Sequence, residues 1–140
     1  MSRPGRRLAF DYGDVRIGVA VCDLDGILST PLDPLDSKNP AVFSEIEKIY
    51  NEYEPVRIYI GLPLNLSGEP SESSAKALLF AEKIKARFAC EVEMVDERLT
   101  TVSASALLTQ AGVSAKNQRK LIDSVAAVAI LECGLARERR

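Results

Sequence analysis

Residues 8–22 read LAFDYGDVRIGVAVC. An apolar run from Leu8 to Tyr12 meets a Gly13-Asp14 turn. The chain then returns over Arg16 to Cys22, with period-two alternation at Ile17, Val19 and Val21. This is the pattern of two short strands joined tightly, hence antiparallel. Asp11 stands inside the first of them. A lone carboxylate in a buried strand is costly and must be met by hydrogen bonds, a cation or a proton. It is either a ligand projecting from the strand end or a cap on the Gly13 turn, and the local sequence leaves both open.

Working outward, Asp25-Gly26 signals a further hairpin, and Gly26 to Leu32 is expected as a third strand. Pro31 and Pro34 place that strand at a sheet edge. The period then changes. Val42, Ile46, Ile49 and Tyr53 form the stripe of an amphipathic helix over Pro40 to Tyr53, with Asn39 as N-cap and Pro40 in the first helical position. Arg57 to Leu62 is a fourth strand, and Leu64 to Ser71 a turn-rich loop. A second helix carries Ala77, Ala81, Ile84 and Phe88 on one face. Glu91 to Asp96 is a fifth strand. A short helix is expected around Val102 to Gln110, ended at Gly112, and a last apolar helix from about Lys120 to Leu135. The order β-β-β-α-β-α-β-α predicts an α/β fold: a mixed five-stranded sheet with helices on both faces, strand one central beside strand four. A functional crevice then lies at the carboxyl ends of the central strands.

The chain has 140 residues, about one domain, and residues 1–140 are read as a single domain. It holds no histidine. That removes a Ser-His-Asp triad, a Cys-His pair and a His-ligated zinc site. The three cysteines, Cys22, Cys90 and Cys133, are scattered with no CxxC spacing. They fit a reducing compartment rather than a disulfide framework. No apolar run approaches a membrane span, and Asp11 interrupts the run that follows the basic N-terminus. A cytoplasmic protein is expected. The net charge of −2 is not that of a protein coating nucleic acid, although a local basic patch can act against a neutral average.

Three acids carry chemical promise. Asp11 ends the first strand. Asp96 and Glu97 end the fifth, and only one of two adjacent residues readily faces a given site; they also suit the start of a following helix. Asp123 precedes Ala126 and Ala127, whose small side chains would let the last helix approach the sheet. The fold could bring Asp11, Glu97 and Asp123 to one sheet end. Such a carboxylate cluster suits Mg2+ or Mn2+, which prefer oxygen ligands. A pair of such ions stabilises the attacking and leaving oxygens in phosphodiester cleavage. The segment Gly61-Leu62-Pro63-Leu64-Asn65-Leu66-Ser67-Gly68 borders the same crevice. Its amides, Asn65 and Ser67 could hold phosphate, or it is a plain connection. Lys116, Arg119 and Lys120 could track a phosphate backbone, or form a solvated surface.

These residues resemble the YqgF-type bacterial proteins, pre-16S rRNA nucleases also called Holliday-junction-resolvase-like proteins. The matching blocks are Phe10-Asp11-Tyr12-Gly13 leading to Arg16-Ile17-Gly18-Val19-Ala20, then Gly61-Leu62-Pro63-Leu64-Asn65 with Gly68. Asp96-Glu97-Arg98-Leu99-Thr100-Thr101 follows, then Asp123-Ser124 with Ala126-Ala127 and Ile130-Leu131-Glu132. The resemblance implies a ribonuclease-H-like fold and a metal-dependent nuclease acting at the 5′ end of pre-16S rRNA. It implies Asp11, Glu97 and Asp123 as catalytic carboxylates and metal ligands. It makes Arg16, Leu64, Asn65, Ser67, Arg98 and Thr100 supporting or substrate-contacting residues. True resolvases carry an acid on strand four, and Arg57 to Leu62 has none. The expected partner is therefore precursor rRNA, with branched DNA as the alternative and no membrane, in a monomer or homodimer. A non-catalytic nucleic-acid-binding assembly factor is the reading from another class.

Overall fold

A computed structural model describes residues 4–100 and 124–139. Strands β1 (Arg7–Tyr12), β2 (Arg16–Cys22) and β3 (Ser29–Asp36) precede helix α1 (Val42–Tyr53). Strand β4 (Arg57–Leu62), helix α2 (Glu72–Arg87), strand β5 (Glu91–Asp96) and helix α3 (Val125–Glu138) complete the described elements. The sheet order is β3-β2-β1-β4-β5. β1 is antiparallel to β2 and parallel to β4, so it lies at the centre beside strand four, as the element order predicts. The expected short helix around Val102, the 116–119 link and the start of the last helix lie outside the described residues.

Alternation along the strands divides the core by sheet face. Leu8, Phe10, Ile17, Val19, Ile58 and Ile60 pack with Ile46 of α1 and with Phe80 and Ile84 of α2. Ala9, Ala20, Cys22, Tyr59 and Val95 take the other face, against Ala127, Ile130, Leu131 and Leu135 of α3. The sheet residues on the α3 side are mostly small, which lets that helix sit close. The approach is tight at Gly134, where an added Cβ would lie 2.6 Å from the Tyr59 ring.

The third strand departs from expectation. It begins at Ser29 and runs to Asp36, rather than spanning Gly26 to Leu32. The Asp23 carboxylate accepts from the amides of Ile27 and Leu28, and Gly26 holds a positive φ of 69°. The turn therefore consumes residues 23–28 before pairing begins. Pro34 does not stop the strand, because the β2–β3 register shifts between Ile17 and Val19 and leaves Asp33 and Pro34 opposite Gly18. Helix α1 also starts late, at Val42. Asn39 still acts at its entrance, its side chain accepting from the Ala41 amide. Helix α2 opens on a reciprocal Ser71–Ser74 capping box.

Two buried polar anchors fix α3. Near its C-terminus, Glu138 pairs with Arg7 at 2.8 Å and accepts from the Tyr59 hydroxyl. At its N-terminus, the fully buried Ser124 hydroxyl accepts from the Val19 amide at 3.1 Å and donates to the Leu32 carbonyl at 2.6 Å. Val19 and Leu32 face one another beside the register shift. Ser124 thus satisfies ladder groups that the irregularity would otherwise strand.

The close seat of α3 has a testable consequence. Gly134→Ala should destabilise the protein by about 1–3 kcal/mol through overpacking against Tyr59. Pairing it with Tyr59→Leu should recover part of the loss. Urea denaturation of the single and double variants measures both, and a neutral Gly134→Ala would contradict the packing described.

Candidate active site

The carboxyl ends of β1, β4 and β5 meet at one end of the sheet. Along β1, Ala9 points to α3, so Asp11, in phase with it, lies on the α3 side. Asp11 opposes Gly18 of β2, another residue in phase with the α3 face. β5 ends at Asp96, and the chain passes into a 3₁₀ turn over Glu97–Leu99. The Asp96 carboxylate accepts from the Arg98 amide and caps that turn. Thr100 closes it, donating its hydroxyl to the Glu97 carbonyl at 2.7 Å. The turn delivers Glu97 to Asp11, and the two carboxyl groups are hydrogen-bonded.

This pair explains how a central strand tolerates an acid. Burial raises the Asp11 pKa, while the hydrogen bond from Glu97 works in the opposite direction. Glu97 is pushed up to about 8, first by burial and then by the Asp11 charge and the hydrogen bond to it. Both effects favour a proton on the pair. Two carboxylates this close cannot both ionise without a compensating cation.

Gly61 makes the juxtaposition possible. It lies within β4, paired with Val95, and on the α3 face in phase with Tyr59. An added Cβ would come within 3.0 Å of both Cγ and Cδ of Glu97 and 2.5 Å of Ile130. This glycine, inside the expected fourth strand, leaves the space that Glu97 occupies. A glycine inside a strand pattern is the signal for such close approach. Ser124, quoted in the sequence only as part of a motif, is the other residue whose role the linear reading did not supply.

The remaining expected site residues fall around this centre. Arg16 opens β2 at the same sheet end and is exposed. In the 63–70 loop, Leu64 is half-buried, whereas Asn65 and Ser67 are exposed. Asn65 and Gly68 form a tight turn, the Gly68 amide donating to the Asn65 carbonyl. Arg98 is a brace. Its guanidinium grips Asp96 at 2.6 Å and reaches the Leu66 carbonyl at 3.4 Å, tying the loop to the end of β5. Asp123, Lys116, Arg119 and Lys120 lie outside the described residues. Among the described residues, no three acidic, histidine or cysteine side chains cluster as a metal cage. The Asp11–Glu97 pair nevertheless fits a divalent cation: its donors are all oxygen, and it holds a proton that a cation would replace.

Comparison with known proteins gives this arrangement a context. Residues 5–137 match the family model described as RuvX, Holliday junction resolvase. A Streptomyces coelicolor protein named "Putative pre-16S rRNA nuclease" is 45% identical over 139 residues, covering 98% of this chain and 83% of that protein. A protein of the same name from Mycobacterium ulcerans is 45% identical over 137 residues, covering 96% and 81%. Among solved structures, Thermus thermophilus RuvC in complex with a Holliday junction substrate matches with a TM-score of 0.61 at 12% identity, covering 96% of each chain. At that identity the likeness concerns the fold alone: the mixed sheet expected from the element order, ribonuclease-H-like as the resemblance implies.

Two outcomes test the geometry. In metal-free protein, Glu97 keeps a proton in the folded state that it loses near 4.5 when unfolded. Its contribution is therefore full below pH 4.5 and is lost as pH rises through about 8. Glu97→Gln should match wild type in stability near pH 5 and exceed it near pH 8.5, by on the order of 1 kcal/mol after solvent screening. A pH-independent difference between the two melting profiles would remove the shared proton. Gly61→Ala should remain folded but cleave roughly tenfold more slowly, because Ile130 must shift and Glu97 must give way beside it.

Proposed function

The chain belongs to the RuvX family, and on that premise we propose that it is a divalent-metal-dependent nuclease trimming the 5′ end of precursor 16S rRNA. It is a hydrolase of phosphodiester bonds: nuclease-named relatives match almost the whole chain at about 45% identity. The observation that carries the metal-dependent reading is the Asp11–Glu97 pair, two acids from separate strand ends brought into contact. We assign Asp11, Glu97 and Asp123 as the carboxylates that hold Mg2+ or Mn2+, within a single domain of residues 1–140. When bound, such an ion supplies Lewis-acid stabilisation of the oxygens that attack and leave phosphorus.

The side chains have separable tasks in this reading. Glu97 gives up its proton on loading and takes up the charge beside Asp11. Gly61 keeps that carboxyl group within reach. Arg98 and Thr100 hold the turn that carries it. Arg16 and the 63–70 loop, with Leu64, Asn65 and Ser67, border the crevice and contact the sugar-phosphate chain. Lys116, Arg119 and Lys120 extend the basic contacts. On the α3 face, β4 offers Gly61 where a further carboxylate would be needed, so metal affinity rests on few protein oxygens and phosphate completes the set. A precursor rRNA substrate places the protein in the cytoplasm. Among the described residues no helix is long and apolar enough to cross a membrane.

A cleavage assay tests this. A labelled 5′-leader fragment of pre-16S rRNA and a four-way DNA junction would be incubated with Mn2+, Mg2+ or chelator. Metal-dependent cleavage of the RNA is expected, falling roughly a hundredfold or more in Asp11→Asn. Preferred, symmetric nicking of the junction would move the assignment to resolution of branched DNA. Cleavage by Asp11→Asn at the wild-type rate would sink the site. Calorimetric Mn2+ titration near pH 7, in buffers of different ionisation enthalpy, should show release of roughly one proton, lost in Glu97→Gln.

A further inference from the structure

The carboxylate pair uses one face of the end of β1. Tyr12, the next residue, points to the other face, about 3.8 Å along the backbone. There it lines a cleft between α1 and α2 with Ser37, Phe43, Phe80, Lys76 and Lys83. The cleft encloses about 140 Å3, close to the ~150 Å3 that accepts a single benzene ring. Its apolar wall is aromatic. The Tyr12 and Phe80 rings lie 4.9 Å apart, and Phe43 and Phe80 6.0 Å apart. Phe80 is buried, whereas Tyr12 and Phe43 are only partly covered, so both leave ring surface facing the opening.

The rim is basic. Lys76 reaches Asp14 at 3.0 Å and Glu72 at 3.8 Å, so its charge is partly met. Lys83, two turns further along α2, makes no ion pair among the described residues and is exposed. Arg87, one turn beyond, places its guanidinium 4.8 Å from the centre of the Phe43 ring. Flat ring surface beside unpaired positive charge, at the same sheet end as the acids, is the chemistry that receives a nucleobase and its phosphate. A base inside a duplex cannot present its face to such a cleft, whereas an unpaired one can.

We propose that this cleft binds one unpaired nucleotide of the nucleic-acid strand whose phosphodiester is cut across β1. The base lies against Tyr12 and Phe43, and Lys83 contacts the phosphate. The proposal rests on the nuclease reading above and deepens it: the substrate class becomes a strand with at least one unstacked base beside the cut.

Binding of a fluorescent single-stranded oligoribonucleotide and of the blunt duplex of the same sequence, both in chelator, tests it by anisotropy. Phe43→Ala should weaken the single strand about tenfold while changing the duplex by less than about twofold. Lys83→Ala, at an exposed position, should reduce the single-strand salt slope by about 0.7. Single-strand affinities of both variants within twofold of wild type, or no single-strand binding by wild type, overturn the cleft. Should Phe43→Ala fail to fold by circular dichroism, the Lys83→Ala salt slope alone decides. Asp11→Asn cleavage, measured in parallel with Mn2+, separates the two claims. Undiminished cleavage with weakened cleft variants overturns the catalytic assignment and leaves the cleft standing.

Discussion

Close packing of α3 on the sheet is the constraint from which the rest of the arrangement follows. The helix can approach only because the residues beneath it are small or absent: Ala9 and Ala20 on the central strands, Gly61 on β4 and Gly134 on the helix itself. Polar anchors at each end hold it there. The Arg7–Glu138–Tyr59 cluster binds the C-terminal end, and Ser124 the N-terminal end. Each is buried and satisfied, so removing one partner leaves an uncompensated polar group and costs more than the contact itself contributes. The helix is therefore fixed in register as well as in distance.

That fixed position shapes the electrostatics of the acids. With α3 lying close to β1 and β4, Asp11 and Glu97 are both partly covered. Desolvation is the first cause of both raised pKa values, ahead of the charge of one acid on the other. Holding the two acids together in this setting therefore favours a proton on the pair. The turn after β5 holds Glu97 in place beside Asp11, because Asp96, Arg98 and Thr100 all brace it.

The end of β1 also divides labour between the sheet faces. Alternation sends Asp11 towards α3 and Tyr12 towards α1 and α2, so acids and aromatic rings occupy opposite sides of one strand end. The α3 side carries the carboxylates. The α1/α2 side carries partly covered rings and a basic rim. A chain of nucleotides crossing the sheet edge would meet both.

Much of this was legible in the sequence because strand and helix periods are local. The alternation of residues 16–22 and the stripe Val42, Ile46, Ile49, Tyr53 each depend on a few neighbours, and the structure places strands and a helix there. The isolation of Asp11 in an apolar run, and the acids after Val95, were visible for the same reason. Boundaries set by side-chain hydrogen bonds were not: the Asp23 carboxylate delays β3 to Ser29, and a register shift carries that strand past Pro34. Nor could the linear chain show that Gly61 is a space for Glu97, that Ser124 fills a gap in a ladder, or that Tyr12 and Phe43 flank one cleft. Those facts join residues distant in sequence. Only the packing of both helix layers on the sheet fixes their separation, and so only tertiary structure decides what they do.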